Sequence, residues 1–519
     1  MAPLIAIALL LAIAIALVLV PFVRSVARTV GMVDSPDRKR KLQDESVALG
    51  GGIAVFAAVA ITFAATILID RQFFGQTLGV LSLRWYSLFG AAAAMLTVGL
   101  VDDTWGLRGR QKLLLQCLII AGLVGSGTVI EKLSLFGLTL DLGVFSFPIT
   151  MLWLLIAVNA LNLIDGADGM ATTAGSIICI GMGIAALHFG SYLSVVLAFG
   201  LAGAQLGFLR YNRPPASIYL GDAGSMMIGL FLGALAIWSN FKESAVLASA
   251  PIAILAIPLF DSSAAILRRW LTGRSIYVTD RGHLHHLLQL KFGKKGMLLV
   301  VALLCGITTT SSVLSLYWNA PWLAGIGVMV VLGLCINTRT FGHAETRLLV
   351  NRFVNFAQSF TLNPKTCLTM KQQRRVPLQG VGQWETVWEP LVEFAKTHDL
   401  ARVKIDLNLA WLHEGYHANW QSVRMPDRAH QLCVSLPLFT HRLGNGKNAI
   451  QIGRLDVVAL AIDADAYQKI ADLSDQLMDL TPEIDRIVSR LESVRPQAPA
   501  PVTLPVEQVS DVPESVVNA

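Results

Sequence analysis

Long apolar runs separated by short polar segments fill the first two thirds of the 519-residue chain. A helix needs about 20 apolar residues to cross a bilayer. By this measure the sequence predicts eleven transmembrane helices, at 1–23, 49–69, 84–101, 113–130, 146–164, 171–189, 191–209, 223–240, 245–267, 297–317 and 320–338. The first run has basic residues only after its end, whereas a cleaved signal peptide begins with them, so it is predicted to be a membrane helix.

The pattern changes after about residue 340, where long apolar runs stop. Three segments alternate polar and apolar residues, as half-buried strands do, and two have the period of amphipathic helices. The strands are predicted at Arg402–Leu409, 431–438 and 451–461, and the helices at 384–398 and 466–491. Gly444, Asn445 and Gly446, between the last two strands, predict a hairpin turn.

Together these patterns predict an all-α polytopic membrane protein of about 11 transmembrane helices with a C-terminal cytoplasmic α+β domain. The membrane domain is expected at 1–339 and the α+β domain at 340–495. Residues 496–519 are rich in Pro, Val and acidic residues, a composition typical of a disordered tail.

Charge supports this picture and gives it an orientation. Only 15% of the residues are charged, against about 25% in soluble domains. One set of interhelical loops carries 18 Lys and Arg and the opposite set carries four, so the first set is predicted to be cytoplasmic. The N-terminus is then outside and the C-terminus inside. The six cysteines lack CxxC spacing, which indicates neither a disulfide framework nor a zinc site.

Polar side chains gather at the predicted cytoplasmic helix ends. They are Asp102 and Asp103, then Asn159, Asn162, Asp165 and Asp168, then Asp222, and lastly His283, His285 and His286. Ionisable groups near membrane depth are costly and usually functional. A single cluster could be a set of solvated loop charges, but four clusters on one face favour a functional site.

The residue types indicate phosphoryl transfer. Carboxylates and a side-chain amide are oxygen ligands that suit Mg²⁺. Lys112, Arg108, Arg110 and the histidines can bind phosphate oxygens. Such chemistry consists mainly of positioning and charge neutralisation. The glycines at 50–52 lack the Lys-Ser/Thr of a Walker loop.

Five stretches resemble the polyprenyl-phosphate N-acetylhexosamine 1-phosphate transferase family, and most closely its undecaprenyl-phosphate N-acetylglucosaminyl branch. They are GLVDDTWGLRGRQKLLLQ (99–116), NALNLIDGADGMA (159–171), RPPASIYLGDAGSMMIGL (213–230), PLFDSSAAILRR (258–269) and DRGHLHHLL (280–288), in family order. The resemblance covers about residues 1–340 and leaves the C-terminal domain outside.

The resemblance implies a set of acidic and amide site residues. Asp222 resembles the main Mg²⁺ or Mn²⁺ ligand, and Asn162 a second ligand or a group near the metal. Asp102 and Asp103 resemble the acidic pair that engages the lipid phosphate or the metal. Asp165 and Asp168 are expected near the nucleotide, with helix-capping acids as the alternative.

It also implies phosphate-binding cations. Lys112 resembles a phosphate-contacting lysine, and His283, His285 and His286 resemble the diphosphate-binding loop. The first cytoplasmic loop departs from the family, because its usual histidine and prolines are missing at 37–52. Arg38 and Lys39 remain there and are expected to bind substrate phosphate.

Two motifs stay open at this point. Asp261 is either a functional acid or a structural acid paired with Arg268 or Arg269. Residues 413–417 read HEGYH, the letters of a zinc-protease motif, which requires a helix so that both histidines share a face. Gly415 is a poor residue for a helix interior, so a structural loop or a ligand-sensing surface is the alternative.

The implied activity is transfer of a sugar 1-phosphate from a UDP-N-acetylhexosamine to a polyprenyl phosphate, with release of UMP. HLHHLL continues into apolar residues, which favours N-acetylglucosamine over the alternative phospho-N-acetylmuramoyl-pentapeptide-type transferase. A secondary transporter is a remote alternative, because transporter sites lie near the bilayer midplane. The expected location is the bacterial inner membrane, multi-pass, with the active site and C-terminal domain cytoplasmic. No nucleic-acid partner is expected, and a homodimer is left open.

Overall fold

A computed structural model describes most of the chain. The described residues are 1–34, 46–135, 138–238, 249–272, 282–338, 341–342, 346, 349–350, 353, 373–379, 383–409, 412, 414–422, 427, 430–441, 449–461 and 465–494. They divide into two compact units, residues 1–362 and 363–519, and each unit is considered by itself. The predicted disordered tail at 496–519 lies outside the described residues.

The first unit is mainly helical. Its helices are α1 (Ala2–Thr29), α2 (Gly51–Phe73), α3 (Leu83–Trp105), α4 (Gly109–Gly125), α5 (Ser146–Ile164), α6 (Met170–His188), α7 (Tyr192–Asn212), α8 (Gly221–Trp238), α9 (Ser249–Ile254), α10 (Ala256–Thr272), α11 (Leu284–Tyr317) and α12 (Pro321–Asn337). α11 is interrupted at Gly293, where φ is 70° and ψ is 174°.

The first unit also contains two short antiparallel strand pairs, which the sequence pattern did not predict. β1 (Val33–Asp34) pairs with β2 (Val47–Ala48), and β3 (Lys132–Leu135) pairs with β4 (Leu138–Asp141). Ala48 also forms a parallel bridge with Ile218. The first pair therefore connects the start of α2 with the segment that leads into α8.

Within the described residues, eight helices are long and apolar enough to cross a membrane, so the predicted count of eleven is not confirmed. They are α1, α2, α3, α5 with its preceding turn, α6, α7, α8 and α11. The other three predicted spans contain α4, α9 with α10, and α12. Both α4 and α12 have 17 residues. A helix of that length spans about 25 Å, less than a bilayer core of about 30 Å.

Helix α8 is the central helix of the membrane unit, since 89% of its residues are buried. It packs against α2, α3 and α5. Gly99 of α3 lets the backbones approach closely, because a Cβ there would lie 2.2 Å from the Cα of Ala223. This packing fixes the first turn of α8, which carries Asp222, against the end of α3.

The second unit is α+β. Its sheet is antiparallel with strand order β5-β7-β6-β9-β8. The strands are β5 (Gln373–Gln379), β6 (Arg402–Leu409), β7 (Glu414–Gln421), β8 (Gln431–His441) and β9 (Ala449–Leu460), and the helices are α13 (Glu385–Thr397) and α14 (Ala466–Val494). Residues from one sheet face and both helices form a single apolar core.

The predicted elements of this unit are present. β6 has the predicted bounds, and β8, β9, α13 and α14 overlap their predicted ranges. β8 and β9 pair antiparallel up to His441 and Ala449, as a hairpin requires, although 444–446 lie outside the described residues. β5 and β7 were not predicted.

The HEGYH stretch does not form a zinc-protease helix. His413 lies outside the described residues, and Glu414 begins strand β7. The Glu414 side chain is buried, and the Trp384 indole N–H donates to its Oε2 at 3.3 Å. His417 contacts Asp406, with 3.4 Å between Nδ1 and Oδ1. The helical interpretation is therefore wrong, because these residues belong to the sheet.

Candidate active site

Lys112 of α4 lies among three oxygen-bearing side chains from three other helices. Its ammonium is 2.9 Å from Oδ2 of Asp102 and 3.2 Å from Oδ1 of Asn162, and it also pairs with Asp222. The lysine is largely buried, with 16% of its side chain exposed. One cation thus joins the ends of α3 and α5 to the start of α8.

Asn162 orients Asp222. Its amide Nδ2 donates to Oδ1 of Asp222 at 2.8 Å and to Oγ of Ser225 at 2.9 Å. Its Oδ1 accepts from Lys112, so both ends of the amide are used. Because Ser225 is one turn after Asp222 on α8, Asn162 holds the start of that helix at two points.

Asp102 and Asp103 are neighbours in sequence but have different partners. Asp103 accepts the backbone N–H of Asp222 at 3.0 Å and of Ala223 at 3.3 Å, so its carboxylate caps the N-terminus of α8. Asp102 accepts the N–H of Leu107 at 2.7 Å and pairs with Lys112. Asp103 therefore anchors α8, whereas Asp102 belongs to the charged cluster.

Asp165 and Asp168 lie in the loop after α5. Burial raises the pKa of Asp165 well above its ordinary value, and the nearby carboxylates of Asp222, Asp103 and Asp168 add to this effect. Oδ2 of Asp168 accepts the N–H of Ala216 at 3.3 Å. The loop thus adds acidic groups to the Asp222 cluster and is tied to the segment before α8.

The histidine segment contacts the same loop. A Cβ at Gly166 would lie 2.2 Å from Cε1 of His285, so the imidazole rests against this glycine. The rings of His283 and His285 are nearly parallel, with centroids 5.8 Å apart, and those of His285 and His286 are 4.0 Å apart. The start of α11 is therefore part of the site.

Gly166→Ala is expected to lower kcat/KM by about 10-fold or more while leaving the protein folded, because the added methyl displaces His285 from the loop. Gly166 is exposed and has no left-handed φ, so alanine adds no backbone strain. Steady-state kinetics and the thermal unfolding midpoint check this. Gly122→Ala in α4, where a Cβ meets nothing within 4 Å, is the control. Unchanged kinetics for Gly166→Ala would contradict a role for His285 in catalysis.

Several organising residues were missed from the sequence. Asn212 accepts the N–H of Gly169 at 3.1 Å and the hydroxyl of Thr172 at 2.8 Å, and donates to the Ile218 carbonyl at 3.0 Å. It thereby joins the loop after α5 to the segment before α8. Its only sequence signal is its place directly before the RPP stretch.

Gln116 was also missed, although helical spacing could have found it. It lies one turn after Lys112, so both face α5. Its Oε1 accepts from Asn159 at 2.9 Å, and its Nε2 donates to Sδ of Met226 at 3.0 Å. This buried contact fixes α4 against α5 and α8 beneath the charged cluster. Arg38 and Lys39, which the sequence placed near substrate, lie outside the described residues.

The sequence that carries this site matches a known protein family. Residues 85–240, which carry the acidic cluster, match glycosyl transferase family 4. Over 333 residues the chain is 31% identical to the probable undecaprenyl-phosphate N-acetylglucosaminyl 1-phosphate transferase of Bacillus subtilis (strain 168), covering 63% of this chain and 89% of that protein. The chain belongs to glycosyl transferase family 4. It is an enzyme of the glycosyl 1-phosphate transferase class and a multi-pass membrane protein.

Two further relatives match similar lengths of the chain. The decaprenyl-phosphate N-acetylglucosaminephosphotransferase of Mycobacterium tuberculosis (strain H37Rv) is 31% identical over 341 residues, covering 60% of this chain and 83% of that protein. The undecaprenyl-phosphate alpha-N-acetylglucosaminyl 1-phosphate transferase of Yersinia pestis is 30% identical over 281 residues, covering 51% and 71%.

Proposed function

We propose that this family 4 enzyme transfers N-acetylglucosamine 1-phosphate from UDP-N-acetylglucosamine to a polyprenyl phosphate and releases UMP. The observation that carries the proposal is the convergence of Asp102, Lys112, Asn162 and Asp222 from four helices. The names of the relatives, all of which specify a polyprenyl phosphate and N-acetylglucosamine, support the choice of acceptor and sugar.

A divalent cation fits this cluster. Its donors are carboxylate and amide oxygens, the ligands that Mg²⁺ and Mn²⁺ prefer. Three of them already surround the ammonium of Lys112, so the cluster accepts positive charge there. Among the described residues, no three His, Cys, Asp or Glu side chains share one metal position. A Mg²⁺ site usually needs only one or two carboxylates, because water and substrate phosphate supply the other ligands.

We assign Asp222 and Asn162 as the residues that would hold Mg²⁺ or Mn²⁺. The bound cation would neutralise charge on the donor diphosphate. Asp102 pairs with the same Lys112 ammonium as Asp222 and is assigned to orient the acceptor. Lys112 and the histidines at the start of α11 provide further positive or hydrogen-bonding groups for the diphosphate oxygens.

The proposed reaction is a direct displacement. A phosphate monoester has a second pKa near 6, so at neutral pH the acceptor is mostly a dianion and needs little activation. Its oxygen attacks the β-phosphorus of the UDP-sugar, the bond from that phosphorus to the bridging oxygen breaks, and UMP leaves with the bridging oxygen. The chain's task is to position two anionic headgroups and to offset their charge.

The function is tested with purified full-length enzyme, labelled UDP-sugars and undecaprenyl phosphate. The expected products are polyprenyl-diphosphate N-acetylglucosamine and UMP, with little transfer from UDP-muramoyl-pentapeptide. A second arm omits the acceptor and follows exchange of labelled UMP into UDP-sugar. Exchange without acceptor, together with a labelled protein intermediate, would replace direct displacement by a covalent aspartate mechanism.

The location is part of the proposal. The excess of Lys and Arg in the loops on the side of the site supports a cytoplasmic active site in a bacterial inner membrane. There, UDP-sugar reaches the site from water while the prenyl chain stays in lipid. The proposed partners are thus a nucleotide sugar and a lipid phosphate, without nucleic acid.

Removal of the second unit is expected to preserve transfer. The described site residues all lie before residue 290, and residues 1–362 form a compact unit. A chain ending at Leu362 should keep kcat/KM within about threefold of the full-length value, measured in membranes after quantifying inserted protein. The Asp222→Asn substitution in the same truncated chain serves as the inactive control. An inactive but folded truncated chain would place the second unit in the catalytic machinery.

A further inference from the structure

Asp261 is a fully buried carboxylate outside the Asp222 cluster. It lies in α10, and 0% of its surface is exposed. Both of its oxygens have partners on the next described segment: Oδ2 is 2.9 Å from Nδ1 of His283, and Oδ1 accepts the N–H of Leu284 at 2.7 Å. A buried carboxylate is costly unless it is paired in this way.

The two contacts have different effects. The bond to Leu284 caps the first turn of α11, because His283 itself makes no side-chain cap there. The bond to His283 selects a tautomer, because a carboxylate can only accept and Nδ1 must therefore carry the proton. When a proton also occupies Nε2, on the opposite side of the ring, that N–H can donate to a phosphate oxygen.

His283 leads directly to the rest of the site. Its ring stacks on that of His285, which in turn rests against Gly166 beside Asp165. A shift of His283 or of the first turn of α11 would move His285 as well. Asp261 is thus connected to the acidic cluster through two histidines, although no contact between Asp261 and that cluster occurs among the described residues.

We propose that Asp261 is a positioning residue of the transferase: it holds His283 in the Nδ1-protonated form and in a fixed orientation, so that the histidines at the start of α11 engage the donor diphosphate. This rests on the proposed function. Without Asp261, His283 could rotate or exchange tautomers, and donor phosphates would meet a disordered imidazole pair.

Asp261→Asn separates positioning from capping. The asparagine carbonyl can still accept from Leu284, but its amide donates, so His283 must accept on Nδ1 and carry its proton on Nε2. Asp261→Asn and His283→Ala should each lower kcat/KM by about 10- to 100-fold, the usual cost of losing a group that orients a functional histidine. The double variant should resemble His283→Ala alone, because Asp261 acts through His283.

Asp70→Asn is the matched control. Asp70 is also a buried carboxylate, and it accepts the N–H groups of Thr77 and Leu78 but contacts no histidine in the part of the chain that the structure describes. The Asp70→Asn variant should have lower thermal stability with little change in kcat/KM. Any change in its kcat/KM should multiply with that of His283→Ala, because the two residues act independently. If Asp261→Asn does not yield folded enzyme, Asp261→Glu replaces it in the same double-mutant cycle. The effects of Asp261→Glu and His283→Ala on kcat/KM are again expected not to multiply.

The cycle uses full-length enzyme and the donor that the wild type accepts. If that donor is not UDP-N-acetylglucosamine, the proposed sugar is wrong. The comparison of kcat/KM between the single and double variants still tests the role of Asp261. The proposal is overturned if the effects of Asp261→Asn and His283→Ala multiply, or if Asp261→Asn has wild-type kcat/KM.

Discussion

Asp222→Asn is expected to lower the transfer rate by about 10³-fold, because charge stabilisation by a bound cation is worth several kcal/mol and each ~1.4 kcal/mol is a factor of ten. Asparagine keeps the shape and can still accept from Asn162, so the start of α8 should remain in place. Turnover and Mn²⁺ binding by electron paramagnetic resonance are the two measurements, and both should fall together.

The matched control for this substitution is Asp141→Asn. Asp141 is an exposed aspartate at the end of β4, and its Oδ1 accepts the N–H of Gly143. It should leave turnover and Mn²⁺ binding unchanged. Exhaustive chelation of the wild type should also abolish transfer, and Mg²⁺ should restore it. Near-normal turnover by Asp222→Asn, or by chelated enzyme, would be incompatible with the proposed metal site.

Lys112→Met is expected to lower turnover by about 10²-fold or more but to strengthen Mn²⁺ binding. In the structure the Lys112 ammonium pairs with the Asp222 carboxylate, so a metal ion that binds Asp222 is expected to displace it. Methionine removes the competitor and keeps the buried stem packed. The displaced lysine would otherwise be free to contact substrate phosphate.

Lys291→Met is the control, because Lys291 donates to the carbonyl of Thr338 at 3.0 Å and is exposed. It should change neither turnover nor metal affinity. The informative comparison is the sign of the change in Mn²⁺ affinity for Lys112→Met. Weaker binding would mean that Lys112 helps to build the metal site rather than competing with the metal.

The membrane unit was well predicted where apolar runs are long and uninterrupted. Eight of the predicted spans contain helices of sufficient length and hydropathy. Two of the three exceptions contain polar residues or a break, whereas α12 is apolar but has only 17 residues. α4 begins with Arg110 and Lys112 in its first turns, and α9 and α10 are separated at Leu255. Hydropathy alone cannot place such breaks, because they depend on tertiary contacts.

The sequence predicted which residues gather at the candidate site, but not which side chains contact each other there. Motif residues at helix ends on one face were expected to meet, and Asp102, Lys112, Asn162 and Asp222 do. Successive helical residues project about 100° apart, so the side chains of Asp102 and Asp103 must point in different directions. Which of the two caps α8 depends on where α8 packs against α3, and the sequence does not show this.

Asp261 and β7 show the same limit. The sequence allowed two interpretations of Asp261, a functional acid or a structural acid paired with Arg268 or Arg269. The structure shows contacts with His283 and Leu284, 22 and 23 residues away. In β7, Tyr416, Ala418 and Trp420 alternate inward as a strand requires. That periodicity predicts a strand, whereas the letters HEGYH match a motif that occurs on helices.

The contacts of the site have a consequence for how the enzyme is made. They join residues 50, 60, 110 and 119 positions apart. At about 5–20 residues per second, a ribosome adds the 110 residues between Lys112 and Asp222 in roughly 5 to 20 seconds. During that time α3 and α4 are already synthesised, but Asp103 and Lys112 lack their partners on α8. Under the proposed function, which includes the histidines at the start of α11, a nascent chain is expected to act on lipid only after α11 has emerged. The proposed catalytic centre would then be among the last parts of the membrane unit to assemble.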